Sequence, residues 1–171
     1  MESDTDLEIE RKFLIDPKDI PPNIDQFTSY KIEQGYIPNQ FKRIRKKTGE
    51  DGESQFFQTE KRGSGIARYE HEFELSEDEF NEKWPLTTGQ RIEKTRTEIP
   101  LDVHTIELDI FLLYFADRTA LVMAEVEFDS VANAEAFFPP NWFGPEVTEH
   151  PDYQNYALAT HGSPLKRPLI K

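Results

Sequence analysis

Within stretches that alternate like β-strands, four pairs of acidic residues stand two positions apart: Glu8/Glu10, Glu70/Glu72, Glu107/Asp109 and Glu125/Glu127. Side chains alternate across a strand, so both members of each pair share one face. Such a face cannot be an ordinary core, because stacked carboxylates repel and a buried unpaired charge is costly unless cations gather beside it. Cations stand at the same spacing, Arg43/Arg45 and Lys94/Arg96, with Lys12 extending the first acidic pair and Lys61 and Arg68 close to the second. The chain is therefore expected to build an enclosed ionic cavity. Oxygen-only ligation selects hard cations, so Mg2+ or Mn2+ fit best, and two ions in one site would lie about 3.5–4 Å apart. Arg and Lys converging beside them describe a phosphate receptor. Cations of both kinds imply a polyphosphate.

The elements that must position these residues follow from the pattern. Leu7 to Ile15 sends Glu8, Glu10, Lys12 and Leu14 one way and Leu7, Ile9, Phe13 and Ile15 the other. Asp16-Pro17 and Pro21-Pro22 break this strand, Tyr30 to Ile37 resumes one, and Pro38-Asn39 turns the chain. Phe41 to Lys47 puts Phe41, Arg43, Arg45 and Lys47 on one face, 48–53 is a hairpin tip, and Gln55 to Lys61 returns. After a turn at Gly63-Ser64-Gly65, Arg68, Glu70, Glu72 and Glu74 line one side of a strand and Tyr69, His71, Phe73 and Leu75 the other. Ser76 with Glu79 is a capping-box pattern, predicting a helix from Glu77 to about Trp84 that Pro85 ends. Further strands are expected over Arg91–Ile99, Thr105–Phe111 and Ala120–Phe128, with a turn at Asp117-Arg118. Short helices follow at Val131–Phe137 and Tyr153–Thr160. About eight antiparallel strands can close into a barrel. Its inside would be ionic and its apolar outer faces covered by helices, a mainly β (α+β) fold.

The composition is compatible with this and narrows the function classes. At 171 residues one domain over 1–162 is expected, with 163–171 as a tail, and 13 Phe and 6 Tyr call for a packed core despite a mean hydropathy of -0.71. The net charge of -13 repels nucleic acid and anionic membranes, so no nucleic-acid or membrane partner is expected. There is no cysteine, hence neither disulfide nor thiolate chemistry. The acidic start lacks a secretory pattern and no run reaches the roughly 18 apolar residues of a span. A cytoplasmic protein is the expectation.

Glu8-Ile-Glu10-Arg-Lys12 resembles the ExExK motif of the CYTH superfamily, the triphosphate tunnel metalloenzymes. The resemblance continues in order through Gln34-Gly-Tyr36, Arg43-Ile-Arg45, Thr59-Glu-Lys61, Arg68-Tyr-Glu70-His-Glu72, Lys94-Thr-Arg96, Glu107-Leu-Asp109 and Ala124-Glu-Val-Glu127-Phe128. It implies an eight-stranded tunnel that hydrolyses a phosphoanhydride bond of a linear triphosphate with divalent metal, without a covalent protein intermediate. Residue by residue it implies Glu8, Glu10, Glu125 and Glu127 as metal ligands, with Glu72 and Asp109 beside them. Glu70, Glu72 and Asp109 are also candidates for the attacking water, and Glu107 stands next to Asp109. Lys12, Arg43, Arg45, Lys61, Lys94 and Arg96 would grip phosphate oxygens, Lys12 stabilising charge, and Arg68 would either join them or hold a carboxylate. Inorganic tripolyphosphate is the expected substrate, because little lies beyond the tunnel to recognise a base, and the protein would act as a monomer or homodimer. Thiamine or nucleoside triphosphatase and adenylate cyclase chemistry use similar tunnels, and a polyphosphate or nucleotide sensor without turnover would keep the same cations.

Each acidic pair taken singly reads more often as a solvated strand face, and an open sheet with cross-strand salt bridges is the bland alternative. His71 alternates away from the charges, and His104, His150 and His161 form no ligand spacing. Gly63-Ser64-Gly65 lacks the ending of a phosphate loop, Trp84 and Trp142 read as packing anchors, and Lys166-Arg167 is too small for a nucleic-acid arm.

Overall fold

The computed structural model describes residues 5–64, 66–112 and 121–164. The expected turn at Asp117-Arg118, the Gly65 end of the Gly63–Gly65 turn, and the tail from 165 onward, Lys166-Arg167 included, lie outside the described residues.

Alternating charge and hydrocarbon gives the strands β1 (Thr5–Leu14), β2 (Ser29–Tyr36), β3 (Lys42–Gly49), β4 (Ser54–Ser64), β5 (Ala67–Leu75), β6 (Arg91–Leu101), β7 (His104–Leu112) and β8 (Leu121–Phe128). They close into an antiparallel barrel in the order β1-β5-β4-β3-β2-β6-β7-β8. Closure places every second side chain inside, and the register stacks the charged ones in layers: Lys12 faces Glu125, Glu10 faces Glu127, Glu107 faces Glu125 and Arg96 faces Asp109.

The outer faces are hydrocarbon and need cover. Ile9, Ile99, Ile106, Leu108, Val122 and Val126 pack under α2 (Val131–Ala136) and the segment after it, with Phe137, Trp142 and Phe143 against them. Ile44, Phe56 and Leu75 pack under Phe80 of α1 (Glu77–Lys83). That helix starts with the expected capping box, Ser76 and Glu79 each bonding the other's backbone N–H. A 3-10 turn, Trp84–Thr87, follows and holds Pro85 at its start.

One end of the barrel is sealed from within. Beyond the charged layers the inward positions turn apolar, with Leu14, Ile92, Phe111, Leu121 and Met123 clustering with Val147, Tyr153 and Leu158. Leu158 belongs to α3 (Asn155–His161), which lies across this end and contacts β2 and β6. The approach to α3 also mends a gap in the wall. β1 pairs with β5 only as far as Ile9, and its later residues are bonded instead by the segment 144–148. Gly144 N–H donates to the Leu14 carbonyl at 2.8 Å and Val147 N–H to that of Lys12 at 2.8 Å. A Cβ on Gly144 would lie 2.6 Å from the Leu14 oxygen, so the crossing requires glycine. Arg11 anchors the strap, binding both Glu146 oxygens at 2.8 Å and the carbonyls of Ala134 and Phe137. Among the described residues no helix is long and apolar enough to cross a membrane.

The glycine of Gln34-Gly35-Tyr36 has a packing cause. A Cβ there would meet Thr87 Oγ1 at 2.4 Å, and Thr87 cannot swing aside because it donates to the Trp84 carbonyl and accepts from Arg91 Nε. Gly35→Ala is expected to destabilise by about 1–3 kcal/mol, read by chemical denaturation. An alanine variant as stable as the wild type would show that the 3-10 turn yields.

Candidate active site

The inward layers enclose a cavity of about 300 Å³ whose lining includes Glu8, Glu10, Arg43, Arg45, Lys47, Lys61, Arg68, Glu70, Glu72, Arg96, Glu98, Glu107, Glu125 and Glu127. Charge is not spread evenly around it. β3, carrying Arg43 and Arg45, stands across the ring from β8, carrying Glu125 and Glu127. One wall is therefore cationic and the facing wall acidic.

On the cationic wall Arg45 donates from Nε and Nη2 to Gln34 Oε1 at 3.2 and 3.1 Å, and Gln34 Nε2 donates to Tyr36 Oη at 3.2 Å. Enclosure by protein, with Arg43 and Arg96 adding to it, lowers Arg45 to about 10. Arg43 Nη2 donates to Thr59 Oγ1 at 3.1 Å, and Thr59 donates on to Glu72 at 2.7 Å. Arg43 Nε is buried without a hydrogen-bond partner among the described residues. Lys61 lies 2.7 Å from Glu70. Burial, with Arg43 and Arg68 nearby, pulls Lys61 well below the usual lysine range. Burial also works against the Glu70 carboxylate, but Lys61, Arg43 and Arg68 outweigh it and hold Glu70 at about 2.

Behind the lining is a buried triad. Asp109 accepts from Arg96 Nε at 2.7 Å and Nη2 at 2.8 Å and from Lys94 Nζ at 2.7 Å. Burial brings Lys94, which is 0% exposed, down to about 8 although Asp109 opposes the shift. Arg96 reaches onward to Glu107 at 2.5 Å and Glu125 at 3.4 Å. Lys12 Nζ stands 3.5 Å from Glu125 and 3.4 Å from the Tyr153 carbonyl.

Most of the residues singled out from the sequence thus converge on one cavity, and Glu107 points into it. Lys12, Lys94 and Asp109 are packed just behind its surface, and Asp109 is engaged by two cations. Arg68 pairs with Glu10 and lies 3.4 Å from Glu70, so in this state it holds carboxylates. Charge spacing does not single out the neutral residues at the site: Gln34, Tyr36 and Thr59, although each stands in a motif that carries the resemblance, and Asn155, which lines the cavity from α3.

The acidic wall has the chemistry of a hard-cation site. Glu10 directly opposes Glu127, and Glu107 opposes both Glu125 and Glu98, like-charge neighbours that destabilise a sheet by themselves. Partial desolvation, reinforced by Glu107, Glu8, Glu10 and Glu125, pushes Glu127 up to about 8 although the residue stays exposed at the cavity edge. Glu125 Oε1 is buried without a hydrogen-bond partner among the described residues. Among the described residues no three acidic or imidazole groups stand close enough to grip one ion as they are. Lys12 and Arg68 instead lend their charges to Glu125 and Glu10. The donor set fits a divalent cation, which would relieve the same repulsion.

A second cavity of about 590 Å³ adjoins the first through Arg43, Lys61 and Arg68. Tyr36, Phe41, Gln154 and Tyr156 give it a partly aromatic wall, and the Phe41 ring is 88% exposed.

No family model matches the chain. It is 39% identical over 153 residues to an inorganic triphosphatase of Nitrosomonas europaea, a match covering 89% of this chain and 96% of that one. It is 33% identical over 153 residues to an inorganic triphosphatase of Acetivibrio thermocellus, covering 88% and 92%. Its structure is similar to the crystal structure of an inorganic triphosphatase with a TM-score of 0.60 at 35% identity, covering 90% of this chain and 94% of the other. The ionic barrel and these relatives lead to one conclusion: the chain belongs to the inorganic triphosphatase family, on the CYTH, or triphosphate tunnel, fold.

Proposed function

We propose that this protein is a divalent-metal-dependent triphosphatase that cleaves a phosphoanhydride bond of inorganic tripolyphosphate. The observation that carries the reading is the facing of a cationic wall, Arg43 and Arg45, by a carboxylate wall, Glu125 and Glu127, across a cavity of about 300 Å³. A linear triphosphate with hard cations would neutralise both walls at once. Glu8, Glu10, Glu125 and Glu127 would hold Mg2+ or Mn2+, with Glu72 completing the set for two ions and Asp109 behind it orienting Lys94 and Arg96. When bound, these ions would neutralise the triphosphate and acidify the water that attacks it. Arg43, Arg45, Lys61, Arg68 and Arg96 bind and orient the phosphates with Lys94 behind them, Glu70 and Glu72 face the water's approach, and Lys12 meets the charge that develops in the transition state. Fixed charges in an enclosed site stabilise that charge with little reorganisation, so no Ser or His nucleophile is needed. The protein would act in the cytoplasm as a monomer or homodimer.

The second cavity favours one further reading. Its aromatic wall next to Arg43, Lys61 and Arg68 suits an organic group carried on a triphosphate, such as thiamine or a nucleoside.

Phosphate release from tripolyphosphate, ATP and thiamine triphosphate, with Mg2+, Mn2+ or chelator, separates these readings. Tripolyphosphate is expected to turn over fastest, and chelator to abolish turnover. Faster cleavage of an organic triphosphate would shift the assignment to the second reading, and tight binding without phosphate release would make the protein a sensor.

Lys12→Ala is expected to lower kcat by about 100-fold or more while the protein keeps its far-UV circular dichroism. Wild-type turnover in that variant would remove Lys12 from the chemistry.

A further inference from the structure

Lys94 carries a full charge that does not itself reach the cavity. It is 0% exposed and absent from the lining, held by Asp109 Oδ2 at 2.7 Å with the Phe111 ring centroid 5.1 Å away. Between its ammonium and the cavity stands Asn155. This residue is not part of the barrel: it begins α3, which the apolar cluster of Val147, Tyr153 and Leu158 holds across the barrel end. Asn155 is 8% exposed, lines the charged cavity, and accepts from Lys94 Nζ through Oδ1 at 3.4 Å. An ammonium only donates, so the amide oxygen must be the atom that faces Lys94. Nδ2, with two N–H donors, then faces away from Lys94, on a side chain that lines the cavity.

We propose that Asn155 is a substrate-binding residue supplied by α3, which accepts from Lys94 through Oδ1 and donates from Nδ2 to a phosphate oxygen of the bound triphosphate. The inference rests on the triphosphatase reading and adds a residue to it. A charge-assisted bond at the carbonyl end polarises an amide and strengthens its N–H donors. Lys94 thus acts on the substrate through a neutral group while its own charge stays matched to Asp109. The arrangement also explains the amide. An aspartate at 155 would fit the same space, but it would compete with Asp109 for Lys94 and turn an acceptor toward an anion.

That isostere is the test. Asn155→Asp preserves size, so a side chain that merely packs would tolerate it, whereas a donor to phosphate would be lost. Tripolyphosphate hydrolysis and the melting temperature are measured for wild type, Asn155→Asp, Asn155→Ala and Phe80→Ala. Asn155→Asp is expected to raise KM at least about tenfold with an unchanged or higher melting temperature, and Asn155→Ala to raise KM by less. Phe80→Ala, which uncovers the apolar patch under α1 and leaves α3 in place, is expected to lower the melting temperature and leave KM at the wild-type value. Wild-type KM in Asn155→Asp, or a KM that follows melting temperature across all three variants, would overturn the proposal. Failure of the wild type itself to bind or cleave tripolyphosphate would overturn the triphosphatase reading, and this inference with it.

Discussion

Closing an antiparallel sheet into a ring leaves no freedom over which residues are enclosed, because every second side chain of each strand must point inward. Here those positions are charged through the middle of the barrel, and the need to balance them organises the rest of the molecule. Burying ions removes their hydration, a cost that attraction repays only in good geometry with further hydrogen bonds. The Asp109, Arg96 and Lys94 triad meets that condition with three bonds of 2.7–2.8 Å. It fixes the orientation of two basic residues before any anion arrives, which is the preorganisation that electrostatic catalysis requires.

An inside filled with ions puts the cohesive hydrocarbon elsewhere. Ile9, Ile106, Leu108, Val122 and Val126 face outward, where α2 and the following aromatics cover them, while α1 covers Ile44, Phe56 and Leu75. The helices are few and short, so the segment 144–148 carries added weight. It bonds β1 where β5 has departed and so holds the backbone at Lys12, between Glu10 and Leu14. Stability and the placement of Lys12 are therefore coupled through residues far apart in sequence, with Arg11 and Glu146 as the clamp.

What could be read from sequence and what could not divides along the same physical line. The strand alternation and the inward set of charges are local properties of period two, so Glu8/Glu10, Arg43/Arg45 and Lys94/Arg96 are legible without a structure. The capping box at Ser76 and Glu79 is local too, and α1 begins where it predicts. Pro100 reads as the start of a loop, yet β6 continues to Leu101 and β7 resumes at His104, leaving a tight turn in which Asp102 takes φ 53°. Proline is tolerated there because it sits at the strand end, where a missing N–H breaks little of the ladder. Gln34, Tyr36 and Asn155 are neutral and leave no charge pattern. The position of Asn155 depends on α3 docking across the barrel end, a tertiary event. Nor does the pattern of 153–160 distinguish a helix that covers the outside from one that seals the end.

The ring order makes a further point about what the cavity is built to receive. The acidic wall is partly neutralised from within, Glu125 by Lys12 and Arg96, Glu10 by Arg68. The cationic wall is served mainly by neutral acceptors, with Gln34 receiving Arg45 and Thr59 receiving Arg43. Glu72, 3.4 Å from Arg43 Nη2, offsets that guanidinium in part, whereas the neutral Gln34 orients Arg45 and leaves its field uncancelled, so the demand for an anion at β3 is strongest at Arg45. Arg68 joins the two regions: its partners Glu10 and Glu70 stand on the neighbouring strands β1 and β5, and it lines the cavity together with Lys61.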